Sequence, residues 1–155
     1  MDHDLPDDSA VRSLVAEIGT RATVAVGLAG IALIHLLDSI GKWSETRYLF
    51  WMYIALMVTS LAVAGWVLFT RSRTALLAAA AVGASAIAGY VLSRSVGLPN
   101  ATDDIGNWTE PLGLASLFVE GTVVVAALAC HRIAGAVGRP VALVTTRDRE
   151  LATAA

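Results

Sequence analysis

Residues 48–94 read YLFWMYIALMVTSLAVAGWVLFT, RSR and TALLAAAAVGASAIAGYVLSR, and this stretch decides the fold. Neither 48–70 nor 74–93 contains a charged side chain. A helix needs about 20 apolar residues to cross a hydrocarbon core about 30 Å thick, so each run is long enough to span a membrane. The short basic link between the runs predicts that the two helices are antiparallel neighbours.

Two further apolar runs bring the predicted spans to four, at about 22–41, 48–70, 74–94 and 111–130. Lipid offers no hydrogen-bond partner to the backbone, so each span must be a helix. The predicted fold class is therefore all-α, an integral membrane up-down-up-down four-helix transmembrane bundle. It forms a single domain over 22–130, with tails at 1–21 and 131–155.

The composition of the whole chain agrees with this architecture. Of its 155 residues, 56% are hydrophobic and 15% are charged, and the mean hydropathy is +0.67. Soluble domains average about 45–50% apolar and about 25% charged residues, which excludes an ordinary soluble domain. The single cysteine, Cys130, excludes a disulfide scaffold. The net charge of −2 gives no basis for binding nucleic acid.

The distribution of Lys and Arg predicts the orientation of the bundle in the membrane. If the helices alternate, most of these residues lie on the side of both termini, and only Lys42, Arg47 and Arg94 lie on the other. Cytoplasmic segments are enriched in Lys and Arg, so both termini are predicted to be cytoplasmic. The 95–110 loop is then outside. The excess of Arg over Lys is typical of a GC-rich bacterial genome, so the predicted location is a bacterial plasma membrane, crossed several times.

Both tails are predicted to be cytoplasmic. In the first, Asp8 or Ser9 can cap a short helix at about 10–20. Its apolar side chains share one face, so this helix is predicted to lie on the inner membrane surface. The tail 131–155 is predicted to be solvated.

Three ionisable residues lie inside the predicted spans, namely His35, Asp38 and Glu120. A charge at the bilayer centre costs roughly 2.5–3.5 kcal/mol, so such residues commonly mark functional sites. With a rise of about 1.5 Å per residue, all three fall in the outer half of the bilayer. Every helix contributes a polar side chain near this layer, which predicts an outward-opening cavity. Its predicted lining is His35, Asp38, Tyr53, Tyr90, Arg94 and Glu120.

Several hypotheses compete for this cavity. In one, His35, Asp38 and Glu120 coordinate a divalent metal, because imidazole and carboxylate ligands suit zinc, iron or manganese. In another, the same groups relay protons. In a third, they pair with one another and with Arg94 to hold the bundle together. A pocket for a small molecule or a lipid headgroup is the fourth.

The sequence carries no haem, nucleotide or flavin signal, and no nucleophilic triad. The predicted function is a non-enzymatic membrane protein whose outward-facing site binds a metal ion or small ligand, or which acts as an accessory subunit. Its predicted partners are the lipid bilayer and either further copies of itself or a membrane partner subunit. A small proton-coupled transporter acting as an oligomer is the alternative, and a membrane-embedded metal-dependent enzyme is a third candidate.

The loop before the fourth span is rich in acidic and turn-forming residues. Gly97 and Pro99 are predicted to end the third helix, and Thr109 to cap the fourth. The acidic spacing fits no EF-hand, so a solvated loop is expected, with closure over the cavity as an alternative. The candidate residues of this loop are Asp103, Asp104, Asn107, Trp108 and Glu110.

The sequences GLP at 97–99 and DDIGNWTEPLG at 103–113, followed by Glu120, resemble small multi-helix membrane proteins of actinobacteria. The position of His35 on the first helix is similar as well. The resemblance covers much of the chain and implies a multi-helix membrane fold and an actinobacterial source. It implies no activity.

Overall fold

A computed structural model of the chain describes residues 8–137, and four helices make up most of this part. They are α1 (Asp8–Glu45), α2 (Arg47–Phe69), α3 (Arg73–Ser95) and α4 (Pro111–Val137). Each contains a segment long and apolar enough to cross a membrane. The prediction of an all-helical chain with four segments of this kind is confirmed.

The four helices pack side by side, with α1 against α2 and α4, and α3 against α4 and α2. Only Thr46 separates α1 from α2, and only 70–72 separate α2 from α3, so consecutive helices run antiparallel. We call the end that holds Thr46 and the 96–110 loop the loop end. The tightly packed apolar core lies in the other half of the bundle, and its fully buried members include Val24, Leu28, Val67, Leu76 and Val123.

Glycine residues allow α4 to approach both α1 and α3 closely. A Cβ atom at Gly27 would lie 2.4 Å from Cγ2 of Val123, and one at Gly83 would lie 3.0 Å from the carbonyl oxygen of Glu120. Inside a membrane the hydrophobic effect does not drive helices together, so close backbone packing of this kind contributes much of their association. Gly83 thus sets the distance between α3 and the α4 backbone at Glu120.

A buried arginine of α1 binds the C-terminal end of α2. The guanidinium of Arg21 donates to the carbonyl oxygens of Val67 at 3.3 Å and Thr70 at 3.0 Å. It also pairs with Glu17 at 3.1 Å, one turn earlier on its own helix. These bonds satisfy carbonyl groups that a helix C-terminus leaves without an intrahelical partner.

Large apolar side chains cover the outside of the bundle. Phe69 is 89% exposed, Phe118 is 76% exposed and Ile40 is 74% exposed. Soluble proteins rarely present contiguous apolar surface on this scale. The outer surface is therefore suited to contact with lipid chains.

The helix boundaries differ from the prediction at the N-terminus. No separate helix lies at 10–20, because α1 runs without a break from Asp8 to Glu45. The Thr20 hydroxyl donates to Ala16 O at 2.8 Å, and the Glu17–Arg21 pair bridges the predicted boundary. Local bonds of this kind continue the helix through the segment.

Two other boundaries also move. The predicted link at 42–47 shrinks to the single residue Thr46, because both neighbouring helices extend into it. Helix α4 continues past 130 to Val137, so the first part of the predicted tail is helical. The rest of that tail, 138–155, and the first residues of the chain, 1–7, lie outside the described residues.

Candidate functional site

A cavity of about 610 Å³ lies at the loop end, between all four helices. This volume is within the range of small-molecule sites, about 300–1,000 Å³. The structure brings together around it all six side chains that the depth argument grouped, namely His35, Asp38, Tyr53, Tyr90, Arg94 and Glu120. The fixed rise of antiparallel helices explains why depth alone grouped them.

Glu120 is the most deeply buried ionisable residue at the cavity, with 1% of its surface exposed. Its Oε1 accepts a hydrogen bond from the Ser116 hydroxyl at 2.6 Å and lies 3.9 Å from Nε2 of His35. Its Oε2 is buried and has no hydrogen-bond partner within residues 8–137. Because a buried polar atom without a partner costs about 1–3 kcal/mol, this oxygen requires an explanation.

His35 is held by its own helix and by α2. Its Nδ1 lies 2.9 Å from the carbonyl oxygen of Ile31, and because a carbonyl only accepts, Nδ1 carries the hydrogen. The ring packs edge-on against Tyr53, with the centroids 5.3 Å apart. These two contacts leave Nε2 facing the carboxyl group of Glu120.

Asp38 lies one helical turn from His35 and interacts with the hydroxyl of Tyr53. Within the described part of the chain, no group of three or more His, Cys, Asp or Glu side chains is arranged to hold a metal ion. The hypothesis that His35, Asp38 and Glu120 coordinate a metal together is therefore not supported by this arrangement and stays a prediction. The two carboxyl groups share a layer but have different neighbours, since Glu120 accepts a hydrogen bond from Ser116 and Asp38 lies near Tyr53.

Arg94 ties the loop to α3. Its guanidinium pairs with Asp104, and with Glu110 at 3.3 Å, and lies 5.2 Å from the ring centroid of Tyr90. Its carbonyl oxygen accepts a hydrogen bond from the Gly106 amide at 2.9 Å. Arg94 therefore holds the loop in place, and its charge is taken up by two loop carboxylates.

The loop forms a roof over the loop end of the cavity. The Tyr48 hydroxyl donates to the carbonyl oxygen of Pro99 at 2.6 Å, and the Tyr90 hydroxyl donates to that of Trp108 at 3.0 Å. Leu98 borders the cavity from above. This arrangement agrees with the alternative given for the loop, closure over the cavity, rather than with a fully solvated loop.

The predicted loop residues fall into two groups. Asp104 and Glu110 border the cavity and bind Arg94. Asp103 and Asn107 are exposed and lie away from the cavity lining. Trp108 also lies outside the cavity lining, but its backbone carbonyl oxygen accepts a hydrogen bond from the hydroxyl of Tyr90, which borders the cavity.

Glu110 also caps α4, a role that the sequence assigned to Thr109. Its carboxylate accepts hydrogen bonds from the amides of Leu112 at 3.3 Å and Gly113 at 3.0 Å. The Thr109 assignment is wrong because Pro111 is the first helical residue, which makes its neighbour Glu110 the capping position. A carboxylate there also complements the positive end of the helix dipole.

The site residues that sequence reasoning missed include Ser116 and Lys42. Ser116 lies four residues before Glu120, and this spacing places both side chains on one helix face. Lys42 borders the cavity, and its ammonium group pairs with Glu45 at 3.0 Å. The spacing of four residues from Glu120 could have identified Ser116. No feature of the sequence placed Lys42 at the cavity.

The exposure of residues on α2 and α3 indicates that the cavity opens sideways between these two helices. No residue of 50–59 or of 87–93 is buried, although the other halves of the same two helices are packed into the core. Met52, Ala55 and Ser85 border the cavity and are themselves exposed. The gap between α2 and α3 thus leaves a lateral opening below the roof.

No family model matches this chain, and no curated protein or solved structure is significantly similar to it. The resemblance to actinobacterial membrane proteins stays a prediction. Functional inference therefore depends on the cavity and its side chains, since a fold alone does not specify a function.

Proposed function

We propose that this chain is a small membrane protein that binds a small organic molecule in the cavity at its loop end. The observation that carries the proposal is the Oε2 atom of Glu120, buried beside a cavity of about 610 Å³ and without a partner in the described chain. Nearly all buried polar groups in native proteins are hydrogen-bonded. A hydrogen-bond donor on a bound molecule would supply the missing partner after a small adjustment of the Glu120 side chain.

The composition of the cavity wall supports the same function. Small-molecule sites are lined mostly by apolar side chains, with a few polar groups that fix the orientation of the ligand. Here the apolar part includes Ile34, Met52 and Leu56, and the polar part includes His35 and Glu120. A wall of this kind favours a ligand with both apolar and polar portions.

A proton-coupled carrier is a second candidate, because the His35–Glu120 pair joins an imidazole and a carboxyl group 3.9 Å apart. Chains of such groups serve proton relays in pumps and transporters. A carrier also needs access from the other face, where Leu28, Val67 and Leu76 fill the bundle. This function would therefore require helix movement or a second copy of the chain.

We propose that the loop end faces the outside of a bacterial plasma membrane. The basis is the Lys and Arg distribution, which favours the opposite side as cytoplasmic. Alkaline phosphatase fused after Glu45 or after Ile105 is expected to be active, and a fusion after Ser72 inactive. Green fluorescent protein at the same three positions should give the reverse pattern. Active phosphatase only after Ser72 would invert the orientation.

Ligand binding is tested with three probes of equal chain length, octanol, octanoate and octylammonium, on protein in phosphatidylcholine nanodiscs. We expect saturable binding of at least one radiolabelled probe, at about one molecule per chain. Gly89→Phe is expected to abolish it, because Gly89 lies at the centre of the α3 face that borders the cavity. A Cβ there meets no atom within 4 Å, so the added side chain begins in open space.

Gly65→Phe is the matched control for this experiment. A Cβ at Gly65 also meets nothing within 4 Å, but Gly65 lies outside the cavity lining, so binding should be retained. Empty nanodiscs measure partition into lipid. Absence of saturable binding for all three probes, or equal loss in both variants, would contradict the proposed function.

A further inference from the structure

The charges around the cavity indicate what kind of molecule it binds, an inference that depends on the proposed function. Among the described residues, four carboxyl groups and two permanently cationic groups border the cavity. They are Asp38, Asp104, Glu110 and Glu120, with Lys42 and Arg94. The wall therefore carries more carboxyl groups than permanent cations.

Both cations are already paired with carboxylates at the edge of the cavity. Arg94 binds Asp104 and Glu110 of the loop. Lys42 binds Glu45, which lies outside the cavity lining. Neither cation forms an ion pair with the carboxyl groups further inside, although Lys42 lies close enough to Asp38 to interact with it electrostatically.

The two carboxyl groups that remain are those of Asp38 and Glu120. Asp38 faces the Tyr53 hydroxyl, and Glu120 has Ser116 and the more distant His35. A carboxylate shielded from water is costly unless a cation lies close to it. A positively charged group in the cavity would lower this cost, whereas a second anion would raise it.

The shape of the cavity restricts the rest of the ligand. Its side opening is flanked by the apolar side chains of Met52 and Ala55 on α2 and by Ser85 on α3. The large exposed apolar side chains outside the bundle indicate that this opening faces lipid. An alkyl chain fits such an exit, because it passes from an apolar wall into an apolar solvent.

We propose that the cavity binds an amphipathic organic cation, with its ammonium group against Asp38 and Glu120 and its alkyl chain directed through the α2–α3 opening. After the same small adjustment of the Glu120 side chain, the N–H groups of a primary ammonium supply the donor that its Oε2 lacks. The aromatic ring of Tyr53, which borders the same cavity, adds a surface that attracts cations.

The three probes described above separate this proposal from the proposed function, because they differ only in the head group. Octylammonium is expected to bind at least about tenfold more tightly than octanol, in line with a charge-assisted hydrogen bond. Octanoate is expected to bind most weakly. Equal or tighter binding of octanol or octanoate would overturn the cation proposal and leave the cavity as a ligand site.

Variants then assign the effect to the carboxyl groups. Glu120→Gln retains the shape and the Ser116 contact, and should weaken octylammonium binding about tenfold with little change for octanol. Asp38→Asn should lower the same affinity. Asp103→Asn removes an equal charge from an exposed loop position away from the cavity, and should change the affinity less than twofold. Unchanged octylammonium affinity in both Glu120→Gln and Asp38→Asn would also overturn the proposal.

Discussion

Glu120→Met is expected to make the protein more stable. The carboxyl group is 1% exposed and its Oε2 has no partner in the described chain, so an apolar side chain of similar length removes an uncompensated desolvation cost. The released Ser116 hydroxyl can donate to a carbonyl oxygen one turn earlier in its own helix. We expect the free energy of unfolding to rise by about 1–3 kcal/mol.

The neighbouring substitution Ser116→Ala is expected to have the opposite effect. It removes the 2.6 Å hydrogen bond to Oε1 and leaves both carboxyl oxygens of Glu120 without a hydrogen-bond donor. The expected loss is about 1–2 kcal/mol. Thermal unfolding in one detergent, followed by circular dichroism, compares the two variants directly.

This pair of variants separates a functional carboxyl group from a structural one. A functional group is retained for its ligand, so its removal raises stability and weakens binding of octylammonium. A group that holds the bundle together would instead make Glu120→Met as destabilising as Ser116→Ala. That result would favour the structural hypothesis, in which the polar side chains serve only to pair with one another.

Gly83→Leu is expected to destabilise the bundle by at least about 1–3 kcal/mol. A Cβ at Gly83 would lie 3.0 Å from the backbone carbonyl oxygen of Glu120 and 3.0 Å from Cγ2 of Val124. A backbone atom cannot rotate away, so the larger side chain must push α3 and α4 apart. Because this contact positions Glu120, ligand binding should fall together with stability.

Gly65→Leu is the control for this substitution as well. It places the same side chain in open space on α2, where leucine also has the better helix propensity. Its melting temperature should equal or slightly exceed that of the unchanged protein. Equal melting temperatures for the Gly83 and Gly65 variants would show that the α3–α4 contact tolerates a larger side chain.

Much of the fold could be predicted from the sequence, because four long apolar runs leave few alternatives. Apolar length alone located the spans, and the constant rise of a helix placed His35 and Glu120 at one level. Grouping by level succeeded because antiparallel helices joined by very short links keep a common register. The side chains predicted to line the cavity therefore border the same space in the structure.

The direction of each side chain within that level could not be predicted. Asp38 and Glu120 share a level, but Glu120 bonds to Ser116 of its own helix, whereas Asp38 lies near Tyr53 of α2. The ligands of a metal site must point toward one position. Knowing which residues lie at the same depth does not show whether their side chains do so. The continuity of α1 was missed for a related reason, because local bonds such as Glu17–Arg21 carry the helix past an apparent change in composition.

The gap between α2 and α3 has a consequence for how binding must be measured. A molecule that reaches the cavity through a lipid-facing opening partitions into the bilayer before it binds. Each methylene group favours that step by about 0.8 kcal/mol, or about fourfold in concentration within the membrane. An apparent dissociation constant calculated from the total ligand per volume of sample should therefore rise with the lipid-to-protein ratio. A constant expressed as the mole fraction of ligand in the lipid should not change.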